Sequence, residues 1–269
     1  MKILMVTNRH LGKHLLIEEL VRRLQNHGVE VLLDDKERWE RGYDGMEAII
    51  VPGGDGSMVR AARRHLRSGL PIWGINLGTV GFLSQMEIED VEQGIQSFLA
   101  GEYWVDERMM LEVEIQNMTV PGGLLVLNEL CLRSADGKVL NIDLKIAGAG
   151  CGSYRGDGLI VTTPTGSTAY SLSCGGSIIE PTLELFGITP IASYLLAQRP
   201  VVVSAERSLE LRVANQRAAY VLLDGQIRIE IEPQQAICIR KAPWKLKMAH
   251  LKGSNFFAEV VAKRLKRIN

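Results

Sequence analysis

The segment of the sequence with the clearest capacity for chemistry is Gly53-Gly54-Asp55-Gly56-Ser57. It follows an apolar run typical of a buried strand and precedes a helical pattern. Glycines at the start of a helix can present backbone N–H groups, which favours phosphate binding there. The alternative is a strand-to-helix turn in which Asp55 or Ser57 caps the helix. A cap does not need glycine on both sides, so an acidic residue between glycines favours a binding site.

A second segment, residues 150–179, combines many glycines with many serine and threonine hydroxyls. It contains the charged group Arg155–Asp157 and one short apolar run, Leu159–Val161. Glycine lets a backbone approach another molecule closely, and hydroxyls supply polar groups that orient a small ligand. The composition of this segment therefore indicates the wall of a binding site.

Four common catalytic signatures are absent from the sequence. It has no GxxxxGKS/T phosphate loop, no GxGxxG dinucleotide fingerprint, no GxSxG elbow and no HExxH zinc motif. These absences argue against a P-loop ATPase, a hydride-transferring dehydrogenase, a serine hydrolase and a zinc protease.

The elements that must position these segments change character along the chain. The first hundred residues alternate strand and helix patterns, which predicts a doubly wound α/β domain with ligands at the carboxyl ends of its strands. The expected strands are Ile3–Val6, Val29–Leu33, Ala48–Pro52 and Ile72–Ile75. One helical pattern ends at Gly28, and a second is expected over residues 58–68.

From about residue 101 the hydrophobic period changes to two, as in Leu111–Ile115 and Ile227–Glu232. Turn signals such as Asp136-Gly137 and Asp224-Gly225 separate these runs. The pattern predicts an antiparallel β-rich domain over residues 101–244. A last helix near residues 255–266 is expected to pack back onto the first domain, which would then comprise residues 1–100 and 245–269.

Charge and composition narrow the class of protein. Lys+Arg and Asp+Glu both number 31, so the zero net charge argues against a nucleic-acid partner or an anionic membrane surface. No apolar stretch approaches ~20 residues, so no membrane span is expected. Without a signal peptide, the four scattered cysteines are expected to be free thiols in a reducing cytoplasm. His10 and His14 lack a third ligand nearby, and no side chain is assigned to a metal.

Five motifs, in order along the chain, resemble those of the NAD kinase family. Gly53–Ser57 resembles the GGDGT signature, which lipid kinases share in a looser form. Gly74–Leu83 resembles xNxGxLGFL, Asn128-Glu129 resembles the NE motif, and Asp224-Gly225 resembles a late DG element. The most specific match is Arg155–Tyr170, which follows RGDGLIVSTPTGSTAY almost residue for residue. The first domain is therefore expected to have the α/β fold of the phosphofructokinase/NAD kinase-like type.

The resemblance implies ATP-dependent phosphorylation of the adenosine ribose 2′-hydroxyl of NAD, which gives NADP. Asp55 would accept the hydroxyl proton. Because positioning and charge compensation dominate phosphoryl transfer, it would orient the hydroxyl and take the proton late. Mg²⁺ or another divalent metal would accompany ATP. The triphosphate would be held by the loop residues Gly53, Gly54, Gly56 and Ser57.

The resemblance also implies which residues bind NAD: Gly56, Phe82, Asn128, Glu129, Arg155, Asp157, Thr168, Ala169, Tyr170 and Ser173. Asn128 and Glu129 would hold the adenosine end, together with residues 168–170. Phe82 would line the adenine pocket, with Ser173 beside it. Asp157 would contact the nicotinamide end, which in this family involves a neighbouring subunit, so a homodimer or homotetramer is expected. As alternatives, Tyr170 and Phe82 could be core aromatics, and Asp157-Gly158 could be a hairpin turn.

Three departures from the family pattern stand out. Ser57 replaces the usual threonine and keeps the hydroxyl. Ser173–Ser177 lacks the proline of SAGGP, and Ser193–Ala197 lacks the histidine of PHxLS, which leaves the preference for NAD or NADH open. Two other functions also remain open, a lipid kinase and a non-catalytic NAD(P)-binding sensor. The sequence does not distinguish ATP from polyphosphate as the donor.

Overall fold

The computed structural model of the chain describes residues 1–7, 14–34, 39, 42–77, 81–84, 86–87 and 90–251. They form two compact units, one comprising Met1–Glu107 and the strand that begins at Leu246, the other comprising Arg108–Lys245. His10 and the last helix expected near residues 255–266 lie outside the described residues. None of the helices described is both long and apolar enough to cross a membrane.

The first unit contains one seven-stranded sheet, and helices connect several of its strands along the chain. Its elements are the strands β1 (Lys2–Val6), β2 (Glu30–Asp34), β3 (Ala48–Pro52), β4 (Ile72–Asn76), β5 (Met86–Glu87) and β6 (Tyr103–Arg108) and the helices α1 (His14–Asn26), α2 (Asp55–His65) and α3 (Val91–Leu99). The chain returns to this sheet in its last strand, β19 (Leu246–Leu251). The sequence places the change of organisation near residue 101. The structure places it after Glu107, because β6 still belongs to this sheet.

The order of the strands positions the glycine segment. They run β2-β1-β3-β4-β19-β6, with β5 beside β4, and β1 pairs in parallel with both β2 and β3. The chain therefore passes from β2, on one side of β1, to β3 on the other, and in open α/β sheets such a reversal marks the usual ligand crevice. All residues of β3 and β4 are buried, as expected of parallel strands covered on both faces. Gly53–Ser57 follows the carboxyl end of β3.

Helix α2 begins earlier than the sequence pattern indicates. The expected start was Met58, but the first helical residue is Asp55, and Gly54 is the N-cap with φ −95° and ψ −171°. A short 3₁₀ helix, Leu66–Ser68, continues α2, and Gly69 ends it with φ +67°. The early start was missed because helical periodicity is visible only where apolar residues recur, and the first turn of α2 is polar.

The second unit consists of two six-stranded sheets. Its strands are β7 (Leu111–Ile115), β8 (Leu124–Val126), β9 (Glu129–Ser134), β10 (Leu140–Ile146), β11 (Ala149–Gly156), β12 (Gly158–Thr162), β13 (Leu185–Ile191), β14 (Val201–Ser204), β15 (Leu209–Val213), β16 (Ala219–Leu223), β17 (Ile227–Ile231) and β18 (Ile237–Lys241), and its one α-helical turn is α4 (Tyr170–Ser173). One sheet has the order β11-β10-β15-β18-β7-β8 and the other β14-β13-β12-β9-β16-β17. All of its recorded strand pairs are antiparallel.

A single apolar core joins the two sheets of the second unit. It contains residues from strands of both, for example Leu111 and Val113 from β7 and Leu130 and Leu132 from β9. Alternate residues of β9 therefore face this core. Glu129, Cys131 and Arg133 point from the opposite face of the sheet, where Cys131 packs with Ile160 in a small separate cluster. This opposite face, here called the outer face of the β9 sheet, carries most of the residues expected to bind NAD.

Candidate functional site

The carboxylate of Asp55 is held by the backbone of a neighbouring loop. Its Oδ1 accepts hydrogen bonds from the N–H groups of Phe82 (2.9 Å) and Leu83 (3.0 Å). From the described part of that loop, Oδ2 receives only a longer, shared contact, from Phe82 N at 3.1 Å. Three N–H···O contacts fix the orientation of the carboxylate and leave Oδ2 the less engaged oxygen. The carboxylate does not cap α2, so the capping alternative for Asp55 is wrong.

Two small residues of the same loop keep it against the glycine segment. A Cβ on Gly81 would lie 2.6 Å from Asp55 Oδ1, so only glycine permits this approach. Ser84 is buried, and its hydroxyl donates to the carbonyl of Gly53 at 3.0 Å. The N–H of Gly53 donates in turn to the carbonyl of Ile75 at 2.8 Å. Residues 81–84 thus position both the carboxylate and the loop that precedes it.

Gly54, which precedes Asp55, is not required by the fold of the described chain. None of Gly53, Gly54 and Gly56 has a positive φ, and a Cβ on Gly54 would meet no described atom within 4 Å. Gly56 is exposed, and the half-buried Ser57 accepts a hydrogen bond from Arg60 at 3.3 Å. Neither conformation nor packing explains Gly54, so the open space beside it fits the close approach of a ligand.

In the second unit, Asn128 and Glu129 are anchored by a residue from a distant turn. Asp224 accepts hydrogen bonds from the N–H groups of Asn128 (2.7 Å) and Leu127 (3.1 Å). Asp224 and Gly225 have φ of 51° and 65° between β16 and β17, and Gln226 N donates to Leu223 O. These are the features of a type I′ hairpin turn. The sequence identifies Asp224-Gly225 only as a turn and a motif, and its role in holding the backbone at Asn128 was missed.

Glu129 is a buried acid without a compensating partner. Glu129 is only 6% exposed, and its Oε2 atom has no hydrogen-bond partner among the described residues. Burial, and then the charge of Asp224, raise the pKa of Glu129 to about 8. A buried polar group without a partner is costly, and such groups concentrate at functional sites. This observation supports a ligand-binding role for the Asn128–Glu129 pair.

The turn at Thr163–Thr168 packs directly against Asn128. The hydroxyl of Thr163 donates to Leu127 O at 2.5 Å and accepts from Gly166 N at 3.1 Å. A Cβ on Gly166 would overlap the carbonyl of Asn128. The turn is thereby fixed beside the NE motif, and it leads without interruption into Ala169 and α4.

Helix α4 then lies on the outer face of the β9 sheet. Tyr170 packs against the cluster that contains Cys131 and Ile160, away from the main core. The hydroxyl of Ser171 is hydrogen-bonded to Thr189 on β13 at 3.0 Å, and Ser173 is exposed. The structure therefore brings Thr168, Ala169 and Tyr170 onto the face that carries Glu129. Tyr170 is half-buried rather than part of the main core, and so is Phe82 in the first unit.

Arg155 and Asp157 lie at a different place in the second unit. Asp157 is exposed and connects β11 in one sheet to β12 in the other, so the hairpin alternative is wrong. Its N–H donates to Ile191 O at 3.0 Å. The guanidinium of Arg155 lies over the ring of Tyr194, 4.6 Å from its centroid. Neither of the two side chains has a recorded hydrogen bond to the residues around Glu129.

Several glycines of residues 150–179 have structural rather than binding roles, which corrects the interpretation of that segment as a ligand wall throughout. A Cβ on Gly156 would lie 2.7 Å from Ile191 O, and a Cβ on Gly158 would overlap Leu132 O. A Cβ on Gly176 would overlap the Ser171 hydroxyl. Close packing of backbone within the unit therefore explains much of the glycine content, and the sequence alone does not separate the two causes.

Potential metal ligands are dispersed over the part of the chain that the structure describes. There, no group of three or more His, Cys, Asp or Glu side chains is arranged to hold a metal ion. The four cysteines are free thiols.

Two family models match the sequence. The ATP-NAD kinase N-terminal domain matches residues 40–103, and the ATP-NAD kinase C-terminal domain matches residues 127–251. A protein of Desulforamulus reducens named NAD kinase is 35% identical over 262 residues, which cover 93% of this chain and 89% of that protein. A protein of Acetivibrio thermocellus with the same name is 37% identical over 85% of this chain and 82% of its own.

Solved structures agree with these matches. The crystal structure of an NAD kinase from Archaeoglobus fulgidus in complex with ATP superposes with a TM-score of 0.80 at 30% identity, over 98% of each chain. Yeast NADH kinase complexed with NADH has a TM-score of 0.83 at 20% identity, over 99% of this chain and 88% of its own. The latter likeness shows the fold alone, and the predicted combination of an α/β and an antiparallel β domain is confirmed. With identity above 30% over most of both sequences, the chain belongs to the NAD kinase family.

Proposed function

We propose that the chain is an NAD kinase that transfers the γ-phosphoryl group of ATP to the adenosine ribose 2′-hydroxyl of NAD. The observation that carries the proposal is the arrangement around Asp55. Its carboxylate is fixed by the N–H groups of Phe82 and Leu83 at the carboxyl end of β3, beside Gly54, which the described fold itself does not require. A fixed carboxylate next to open backbone suits the alignment of a hydroxyl with a phosphate.

The reaction requires one bond to form and one to break. The 2′-oxygen of NAD attacks the γ-phosphorus of ATP, the bond to the β,γ-bridging oxygen breaks, and ADP leaves. The hydroxyl proton passes to Asp55, whose less engaged oxygen is Oδ2. Because the transition state is loose, Asp55 contributes mainly by orienting the hydroxyl and accepts the proton late.

The phosphates would be bound by the start of α2. The N–H groups at a helix N-terminus attract anions, and the open side of Gly54 leaves room for a phosphate. Mg²⁺ would be bound mainly by the triphosphate and water, as is usual for this ion, and would neutralise charge on the phosphate oxygens. The dispersed acidic groups of the described chain are consistent with such a substrate-borne metal.

The residues of the second unit would select the dinucleotide. Glu129 and Tyr170, on the outer face of the β9 sheet, would hold the adenosine end, with Asn128 beside them. The exposed Asp157 would contact the nicotinamide end of an NAD bound mainly by another subunit in a homodimer or homotetramer. Membership of the family argues against a lipid kinase. Only a measurement of turnover distinguishes an active kinase from a non-catalytic NAD(P)-binding protein.

Turnover is tested by incubating the protein with NAD or NADH and Mg-ATP or Mg-polyphosphate. The product is detected with an NADP-specific dehydrogenase. Formation of NADP in proportion to enzyme and time supports the kinase. Tight NADP binding without product under any donor or metal would instead support the sensor function, and phosphorylation of a lipid but no dinucleotide would support a lipid kinase.

Replacement of Asp55 tests its role. Asp55→Asn should lower kcat by at least ~10²-fold, as for the loss of a general base, because the amide cannot accept the proton. The melting temperature and the Kd of NAD should change little, since the amide oxygen can still accept from Phe82 and Leu83. Asp90→Asn, at an exposed aspartate beside α3, is the matched control and should keep the full rate. Full activity in Asp55→Asn would rule out Asp55 as the proton acceptor.

A further inference from the structure

The buried acid Glu129 has no recorded ion pair with any residue that the structure describes. Oε2 has no hydrogen-bond partner among the described residues, and the residue is only 6% exposed. An ionised carboxylate in such a position loses its hydration without compensation, which is far more costly than burying a neutral carboxyl group. Geometry alone therefore favours the neutral form.

The nearest charged neighbour reinforces this preference. Both oxygens of Asp224 accept backbone N–H groups, from Leu127 and Asn128, which stabilise its carboxylate form. The N–H of Asp224 donates to the backbone carbonyl of Glu129 at 3.0 Å, so the two residues are tied together. Two carboxylates held close repel each other, and the one without N–H donors is the one that keeps a proton.

The other titratable groups on this face of the sheet do not favour the ionised form of Glu129. Asp224 in the β16–β17 turn and Cys131 on β9 interact with Glu129. The other titratable groups on this face are Arg133 on β9 and, from the α4 segment, Tyr170 and Cys174, which pack against Cys131. Burial raises the pKa of Cys131 to about 12 and also raises the pKa values of Tyr170 and Cys174, so these three are neutral at neutral pH. Arg133 lies four residues beyond Glu129 on β9. On the neighbouring strand β12, the residue paired with Glu129 is the uncharged Thr162.

We propose that Glu129 is protonated at neutral pH and donates a hydrogen bond from this neutral carboxyl group to an acceptor atom of the dinucleotide. The inference rests on the proposed function, since it concerns how the same site selects NAD. A neutral carboxyl group can donate and accept at once, which suits the hydroxyl groups and ring nitrogens of adenosine. It also avoids repulsion of the pyrophosphate. Loss of the proton leaves an acceptor-only carboxylate that opposes binding.

The proposal predicts weaker NAD binding in alkaline solution. If only the protonated form binds, and the pKa of Glu129 is about 8, Kd should rise about tenfold between pH 7 and pH 9. Glu129→Gln keeps a donor and cannot ionise, so its Kd should change less than about twofold over this range. Glu230→Gln, on the exposed face of β17, should retain the wild-type dependence. An unchanged wild-type Kd, or an equal rise in Glu129→Gln, would overturn the proposal.

Proton uptake by the wild-type protein provides a test that needs no variant. Calorimetric titration with NAD, in buffers of different ionisation enthalpy, should show uptake of nearly one proton per NAD at pH 9 and almost none at pH 6. Zero uptake at pH 9 would contradict the proposal even if Glu129→Gln fails to fold.

These measurements separate the inference from the proposed function, because they use NAD without a phosphate donor. A protein that forms NADP but binds NAD with the same Kd at all pH values retains the kinase function and loses the neutral Glu129. A protein that binds no dinucleotide at pH 7 contradicts both.

Discussion

Two glycines close to Asp55 differ in what surrounds them. Gly81 faces the Asp55 carboxylate at a distance that admits no Cβ, whereas Gly54 faces open space with a φ of −95° that alanine adopts without strain. Gly81 is thus explained by the resting structure and Gly54 is not. If the space beside Gly54 serves a phosphate, the two positions should respond differently to the same substitution.

The contrast predicts separate effects of Gly54→Ala and Gly81→Ala. Gly54→Ala should change the free energy of unfolding by less than about 1 kcal/mol, yet lower kcat/KM for Mg-ATP by about tenfold or more, because its methyl group occupies the phosphate space. Gly81→Ala should lower both the stability and kcat, because it displaces the carboxylate. Steady-state kinetics and urea unfolding measure the two quantities. Normal kinetics in Gly54→Ala would show that no ligand uses the open space.

Individual residues also show where sequence reasoning reached its limit. Asp55, Asn128 and Glu129 could be singled out because polar residues stood where an apolar or simple turn residue was expected. The anchoring role of Asp224 could not be predicted, because it comes from two N–H contacts to residues nearly a hundred positions away. Such pairings depend on which strands become neighbours, and local spacing does not contain that information.

Helix α2 links the candidate catalytic residue to a buried polar cluster. Asp55 is the first residue of α2, and His65 is the last. The Nδ1 atom of His65 lies 2.8 Å from the Tyr43 hydroxyl, and Nε2 lies 3.1 Å from Asp34 Oδ2. Arg64 donates to the other oxygen of Asp34 at 2.9 Å. These contacts fix the carboxyl end of α2 to the end of β2.

The cluster predicts a loss of stability in acid. Burial, and then the charge of Arg64, lower the pKa of His65 from 6.5 to about 4. The fold therefore favours neutral His65. Its contribution to the free energy of unfolding is complete above pH 6.5 and declines as the pH falls toward 4. The loss should be on the order of 3 kcal/mol. Urea unfolding monitored by tryptophan fluorescence, to which the buried Trp73 contributes, should show this loss of stability. The loss should be smaller in His65→Gln. An equal loss in His65→Gln would assign the acid response to other groups.

The elements themselves were predictable to different degrees. Apolar runs and period-two alternation located β3 and β7 at their observed bounds and β17 to within one residue. Helix α3 was not identified, and the step from β11 to β12 was open to interpretation as a hairpin. Adjacent strands that belong to different sheets have the same local sequence signals as a hairpin, so the distinction depends on packing between sheets rather than on the turn.

At the scale of the whole molecule, two buried groups with strongly shifted pKa values lie in different compact units and respond oppositely to pH. His65 belongs to the first unit and Glu129 to the second. The fold raises the pKa of Glu129 from 4.5 to about 8, so stability from its neutral form is complete below pH 4.5 and is lost as the pH rises toward 8. The shift corresponds to a loss on the order of 5 kcal/mol. A fall in pH below 6.5 should therefore weaken the first unit, and a rise in pH from 4.5 to about 8 should weaken the second.

Hydrogen–deuterium exchange detected by mass spectrometry can assign each loss to its unit, after correction for the intrinsic pH dependence of exchange. Between pH 6.5 and 8.5, protection should fall at β9 and β12 and change little at β3 and β4. Glu129→Gln should abolish that fall, because its amide cannot ionise, and leave the acid response of the first unit intact. Equal changes in both units would mean that they unfold as one cooperative body. An unaltered alkaline fall in Glu129→Gln would mean that Glu129 does not carry the proton.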